Sequence, residues 1–152
     1  MKIRILLLAA GAIAVSASAA NAQSYPARVT TAVYLRTGPD TGYPAAAVVP
    51  AGATVVVHGC LAGWSWCDVS WGPNRGWLAG MFLAAHYQNR PVPYGYYAPR
   101  AGVPVVTFLF GNYWDRHYRG RTWYNQRGHY ERYDYRNRRW PQGYDRRDRR
   151  RR

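Results

Sequence analysis

The chain has 152 residues, with 21 Lys and Arg against 7 Asp and Glu, a formal net charge of +14. That length suits one small domain with an extension and is short for a multi-domain enzyme. A balance this basic points to anionic partners such as wall polymers, lipid headgroups or nucleic acid.

The N-terminus reads as a targeting segment. Met1-Lys2-Ile3-Arg4 is a short basic start, residues 5–15 are apolar and uncharged, and residues 16–22 are small and end in Ala20-Asn21-Ala22. This is the layout of a secretory signal peptide over residues 1–22, cleaved after Ala22. The apolar run is about half of the roughly 20 residues that a bilayer span needs. No cysteine stands near the cleavage site, so no lipid anchor is expected. The mature chain is expected in the periplasm or secreted, with no transmembrane segment.

The remaining charge is divided unevenly. Residues 23–85 hold Arg28, Arg36 and Arg75 against Asp40 and Asp68, whereas residues 86–152 hold sixteen arginines against five acids. A near-neutral first part is thus joined to an Arg/Tyr-rich second part.

In the first part, residues 29–35 are rich in β-formers and predict a strand. Thr37 to Gly42 is a cluster of turn residues. A short extended piece is expected over 43–49, closed by Pro50-Ala51-Gly52. Residues 54–58, with Val55, Val56 and Val57, predict the clearest strand. Residues 66–71 predict another, with Trp66, Asp68 and Ser70 alternating against Cys67, Val69 and Trp71. A turn over 72–76, a last strand beginning at Trp77-Leu78, and Met81-Phe82-Leu83 closing the core complete the series. Short strands separated by frequent turns predict an all-β barrel or sandwich. The only cysteines, Cys60 and Cys67, flank Gly63-Trp64, which can turn a hairpin and set the two thiols opposite each other. In an oxidising compartment they are expected to form a disulfide.

The order of these signals resembles the bacterial SH3 domain. Leu35-Arg36-Thr37-Gly38-Pro39 is similar to that family's early turn, and Tyr43-Pro44 with Val49-Pro50-Ala51-Gly52 to its diverging turn. Trp66-Cys67-Asp68-Val69, Gly76-Trp77-Leu78 and Phe82-Leu83 are similar to its later strands. The resemblance covers residues 27–85. It implies an all-β fold, a small SH3-like barrel, here followed by a largely disordered Arg/Tyr-rich tail.

Candidate ligand contacts on the barrel are Arg36, Trp64, Trp66, Trp71 and Arg75. Trp64, at the hairpin tip, is expected to be exposed, whereas Trp77 is expected to plug the barrel. Arg36 can serve either the turn or a ligand. Residues 86–102 predict an extended Pro/Tyr/Gly linker. Residues 103–152 predict a mostly disordered basic, aromatic-rich extension. Arginine supplies forked donors for phosphate and carboxylate, and aromatics supply stacking surfaces. Arg116, Arg119, Arg121, Arg138 and Arg139 are the candidate contacts to an anionic polymer.

Catalysis has no visible apparatus. The four histidines are scattered without metal-ligand spacing, no phosphate loop opens a helix, and neither cofactor nor metal is expected. The expected function is an exported, non-catalytic and monomeric binding module. It would associate with the cell envelope, meaning peptidoglycan or another anionic wall polymer, through barrel and tail. The alternatives are a protein-interaction adaptor that binds extended peptides, including the chain's own 91–99 segment, and an anionic-polymer or nucleic-acid binder that acts through the tail.

Overall fold

The computed structural model describes residues 24–139. The signal-peptide expectation at 1–22 and the final residues from 140 lie outside them.

Eight strands form one antiparallel sheet: β1 (Tyr25–Val29), β2 (Val33–Arg36), β3 (Ala45–Val49), β4 (Thr54–Cys60), β5 (Trp66–Trp71), β6 (Asn74–Ala79), β7 (Leu83–Tyr87) and β8 (Arg90–Pro93). Their order is β3-β2-β6-β5-β4-β1-β7-β8. Apolar side chains from β1 to β7 meet in one core that includes Val29, Leu35, Val49, Val57, Val69, Leu78 and Leu83. Seven strands can share one core only if the sheet curls around it, which is the barrel expected from the sequence.

Strand period explains which residues enter. In β4, Val55 and Val57 are buried while Thr54, Val56 and His58 are exposed. In β5, Cys67 and Val69 point inward, so Trp66, Asp68 and Ser70 lie on the opposite face. The predicted strand over 29–35 is instead two strands, broken at residues 30–32. Tyr25, Ala27 and Val29 pair with β4 and β7, whereas Arg36 pairs with Trp77 of β6, so the chain changes neighbours between them. Leu83 closes the core, but Met81 is 81% exposed on a single 3₁₀ turn, Gly80–Phe82.

Cys60 and Cys67 are register partners and form a disulfide. Closing so short a loop stabilises by about 2.5 kcal/mol in the chain-entropy account. That is a useful fraction of the stability of a small domain, typically about 5–15 kcal/mol.

The segment expected to be an extended linker is not one. Gln88 and Asn89 both take positive φ, 50° and 61°, and turn β7 into β8. Such a two-residue turn more often carries Asn-Gly, so the hairpin is not obvious from sequence. The helix α1 (Tyr94–Ala101) follows, burying Tyr94 and Ala98, one turn apart, in the barrel core. The Tyr25 phenol donates to the Gly102 carbonyl at 2.9 Å and holds the helix end on β1.

The extension also departs from expectation. As far as Arg139 it is ordered, with α2 (Phe110–His117), a 3₁₀ turn at Tyr124–Gln126 and the single-turn α3 (Arg127–Tyr130). Its aromatic residues build a second core on the outer face of the sheet. Phe108, Trp114, Tyr118, Tyr130 and Tyr133 are buried there with Tyr43 and Trp77 of the barrel. Disorder was expected from the high charge and scarcity of aliphatics. Aromatic burial supplies the missing apolar area, since each large ring buries about 150–250 Å².

Two glycines make room for this docking. A Cβ at Gly59 would overlap Val106, which crosses directly above it, and a Cβ at Gly42 would overlap the Tyr133 ring. Beside Gly59, the Cys60 amide donates to the Pro104 carbonyl at 2.9 Å and the Val106 amide to the Cys60 carbonyl at 2.8 Å.

Candidate functional site: the seam between barrel and extension

The outer face of β5 and β6 carries Trp66, Asp68, Ser70, Arg75 and Trp77. The extension closes over it from one side. Trp77 is 1% exposed, as expected for a core residue, but it does not plug the barrel. Strand alternation turns Leu78 inward and Trp77 outward, where its ring meets Phe108 at 5.4 Å and Tyr113 at 5.7 Å.

Asp68 organises the polar part of this face. Arg75 donates to it through Nε at 2.7 Å and Nη2 at 2.6 Å, a two-pronged ion pair. The Tyr113 phenol, from α2, donates to the same carboxylate at 2.6 Å. The Tyr118 phenol donates to the Arg75 carbonyl at 2.9 Å. Burial, with neighbouring Tyr118 and Asp68, pushes the Tyr113 phenol well above the ordinary tyrosine range, so it stays a donor. Burial works against the Arg75 charge, but its hydrogen bonds and attraction to Asp68 hold the guanidinium above its usual range.

Asp40 does the equivalent work at the turn after β2. It accepts from the Tyr133 phenol at 2.6 Å, the Gly42 amide at 2.7 Å and Arg138 Nε at 3.0 Å. The Trp114 indole donates to the Thr37 carbonyl at 3.1 Å. The two acids of the near-neutral first part are thus both buried, and both receive a tyrosine from the extension.

The five ligand candidates on the barrel do not form one site. Trp64 is half-buried against the barrel core near α1, not exposed at a free tip. The hairpin folds back there because Gly80 and Ser65 join by a backbone hydrogen bond of 2.8 Å. Trp71 packs on that same core, whereas Trp66 packs on the aromatic core outside the sheet. Arg36 donates through Nη1 to the Tyr43 carbonyl at 2.8 Å, a turn-holding contact. Arg75 donates Nε and Nη2 to Asp68.

The polymer-contact candidates are on the surface. Arg116 is exposed on α2, Arg119 is exposed just beyond its end, and exposed Arg121 donates to Asn74 Oδ1 through Nη2 at 2.9 Å. Arg139 is exposed and pairs with Asp134 through its backbone. Arg138 is still 68% exposed while it holds Asp40. The acids of the extension are engaged too. Asp115 accepts from Tyr124 and from Arg127 at 2.9 Å, and its carboxyl is held below the usual range first by that tyrosine. Glu131 accepts from Arg127 at 2.8 Å, and Asp134 from the Asn137 amide group at 2.8 Å. All five acids among the described residues are therefore occupied, against thirteen arginines over the same span, ten of them exposed. Arg119 also lies 3.9 Å from Asp115, yet arginines outnumber acids over the described residues and the surface is net positive.

Among the described residues no group of His, Cys, Asp and Glu is placed to hold a metal ion. No helix among them is long and apolar enough to cross a membrane.

Residues 31–84 match the family model described as bacterial SH3 domain, about a third of the chain. No curated protein and no solved structure matches the chain.

Proposed function

We propose that this chain, which carries a bacterial SH3 domain over residues 31–84, is an exported, non-catalytic module that associates with the anionic cell envelope. Its partner is peptidoglycan or another anionic wall polymer, and its exposed arginines make the contact. The observation that carries the reading is the charge arrangement. Asp40 and Asp68 are buried and held by tyrosines, the three acids of the extension each accept hydrogen bonds within it, and Arg116, Arg119, Arg121, Arg132 and Arg136 face solvent. Arginine forks suit phosphate and carboxylate groups. The signal-like N-terminus and the Cys60–Cys67 disulfide support export to an oxidising compartment.

The peptide-adaptor alternative draws less support. The 91–99 segment is part of β8 and α1 and contributes Tyr94 and Ala98 to the barrel core. A segment built into the core is not a ligand waiting in a groove.

The test is co-sedimentation of the mature protein with purified sacculi over a salt series. Retention at low salt that falls as screening rises supports the proposal. Failure to be retained at low salt overturns it.

A further inference from the structure

Where the extension stops covering β5 and β6, polar side chains from four elements gather. His58 is the extra residue of a β4 bulge between Val57 and Gly59. Its Nε2 lies 2.8 Å from the Ser70 hydroxyl of β5. Ser70 stands opposite Arg75 in the β5–β6 register. His117, the last residue of α2, packs its ring on Tyr113 with centroids 4.6 Å apart, and Tyr113 holds Asp68. Arg75 uses Nε and Nη2 on Asp68, and its Nη1 has no hydrogen-bond partner among the described residues.

We propose that this seam, formed by His58, Ser70, Arg75 and His117, binds a phosphodiester group. The inference rests on the anionic-polymer reading and names the group and the place. The donors suit it. A hydroxyl, a guanidinium N–H and two imidazoles can serve the two non-bridging oxygens of a phosphodiester, which share one negative charge, and charge-assisted bonds of this kind are the strong ones. The one carboxylate here, Asp68, is already satisfied by Arg75 and Tyr113. Arg116 precedes His117 in the chain and Arg121 reaches Asn74, the neighbour of Arg75, so both add positive charge nearby.

Protonation grades the site. Burial, then the nearby Arg75 charge, lowers the pKa of both imidazoles, and His58 further disfavours a charged His117. Asp68 pulls the other way for each. The seam therefore resists two positive charges, which a bound anion would offset. Affinity should rise as pH falls below the ordinary imidazole pKa of about 6.5.

The test is an NMR titration of the mature protein with dimethyl phosphate, whose single charge does not change over this interval. It is run at about pH 5.5 and about pH 7.5, either side of the imidazole range. The ring resonances of His58 and His117 should shift saturably, with affinity several-fold higher at the lower pH. The double variant His58→Gln/His117→Gln should lose that pH dependence. Unmoved ring resonances in the unaltered protein overturn the proposal without recourse to any variant. An equal response to acetate overturns the phosphodiester assignment.

Phosphatidylglycerol vesicles form a second arm. Vesicle binding that the double variant loses places a lipid headgroup at the seam. A dimethyl phosphate response with no vesicle binding assigns the seam to a non-lipid phosphodiester. Sacculus retention without a dimethyl phosphate response sinks the seam alone, and the reverse result sinks the envelope reading alone.

Discussion

The Tyr113 phenol donates to the Asp68 carboxylate at 2.6 Å, joining residue types from the two compositionally different parts of the chain. Asp68 is 8% exposed and would be costly to bury without its donors. The same contact that satisfies the barrel's acid fixes α2 across its face.

Tyr113→Phe removes that donor and keeps the ring. A hydrogen bond to a charged, largely buried group contributes about 1.5–3 kcal/mol. The variant should lose stability in that range by urea unfolding, with the slope unchanged. No loss would mean that the contact does not fix the extension.

Trp114→Ala tests whether the extension belongs to the folded unit. Trp114 is fully buried, stacking near Phe110 at 4.8 Å and meeting Tyr118 at 5.6 Å. Removing a large buried ring costs about 3–5 kcal/mol. The unaltered protein should unfold in one transition by both fluorescence and far-UV circular dichroism, and the variant should shift both together. A shift confined to one probe would mean that barrel and extension unfold separately.

Acid should weaken the fold through the seam histidines. His58 and His117 have folded-state pKa values lowered by burial and then by Arg75. The unfolded chain therefore binds more protons below about pH 6.5, and stability falls as pH drops from there. Thermal midpoints in buffers of equal ionic strength should decline over this interval. The decline should be smaller in His58→Gln/His117→Gln.

The barrel is legible because its signals are local. Val55, Val56 and Val57 form a β-branched run bounded by turn residues, Gly-rich turns separate the strands, and Cys60 and Cys67 sit at hairpin spacing. Trp77 was correctly expected to be buried, but its neighbourhood was not foreseeable without the extension that covers it. The second core was hidden by its composition. Trp114, Tyr118, Tyr130 and Tyr133 are interleaved with arginines, so the segment reads as charged and poor in aliphatics. One clue was available: Asp40 and Asp68 are the only acids over residues 23–85, and a lone acid in a neutral barrel invites a partner from elsewhere. The α1 helix was obscured because Pro91, Pro93 and Pro99 dominate its surroundings, and only the Tyr94/Ala98 spacing marks its buried side.

The central claim is that the exposed arginines of the extension, which outnumber its acids, hold the protein on the envelope. The most direct measurement is retention of the mature protein on purified sacculi, compared with a variant carrying Arg116→Gln, Arg119→Gln, Arg121→Gln and Arg132→Gln. These side chains are exposed, so the variant should fold with its thermal midpoint nearly unchanged. Retention should fall about tenfold or more at low salt, because each lost charge removes roughly 0.5 kcal/mol or more of screened attraction. Undiminished retention by a folded variant would contradict the account.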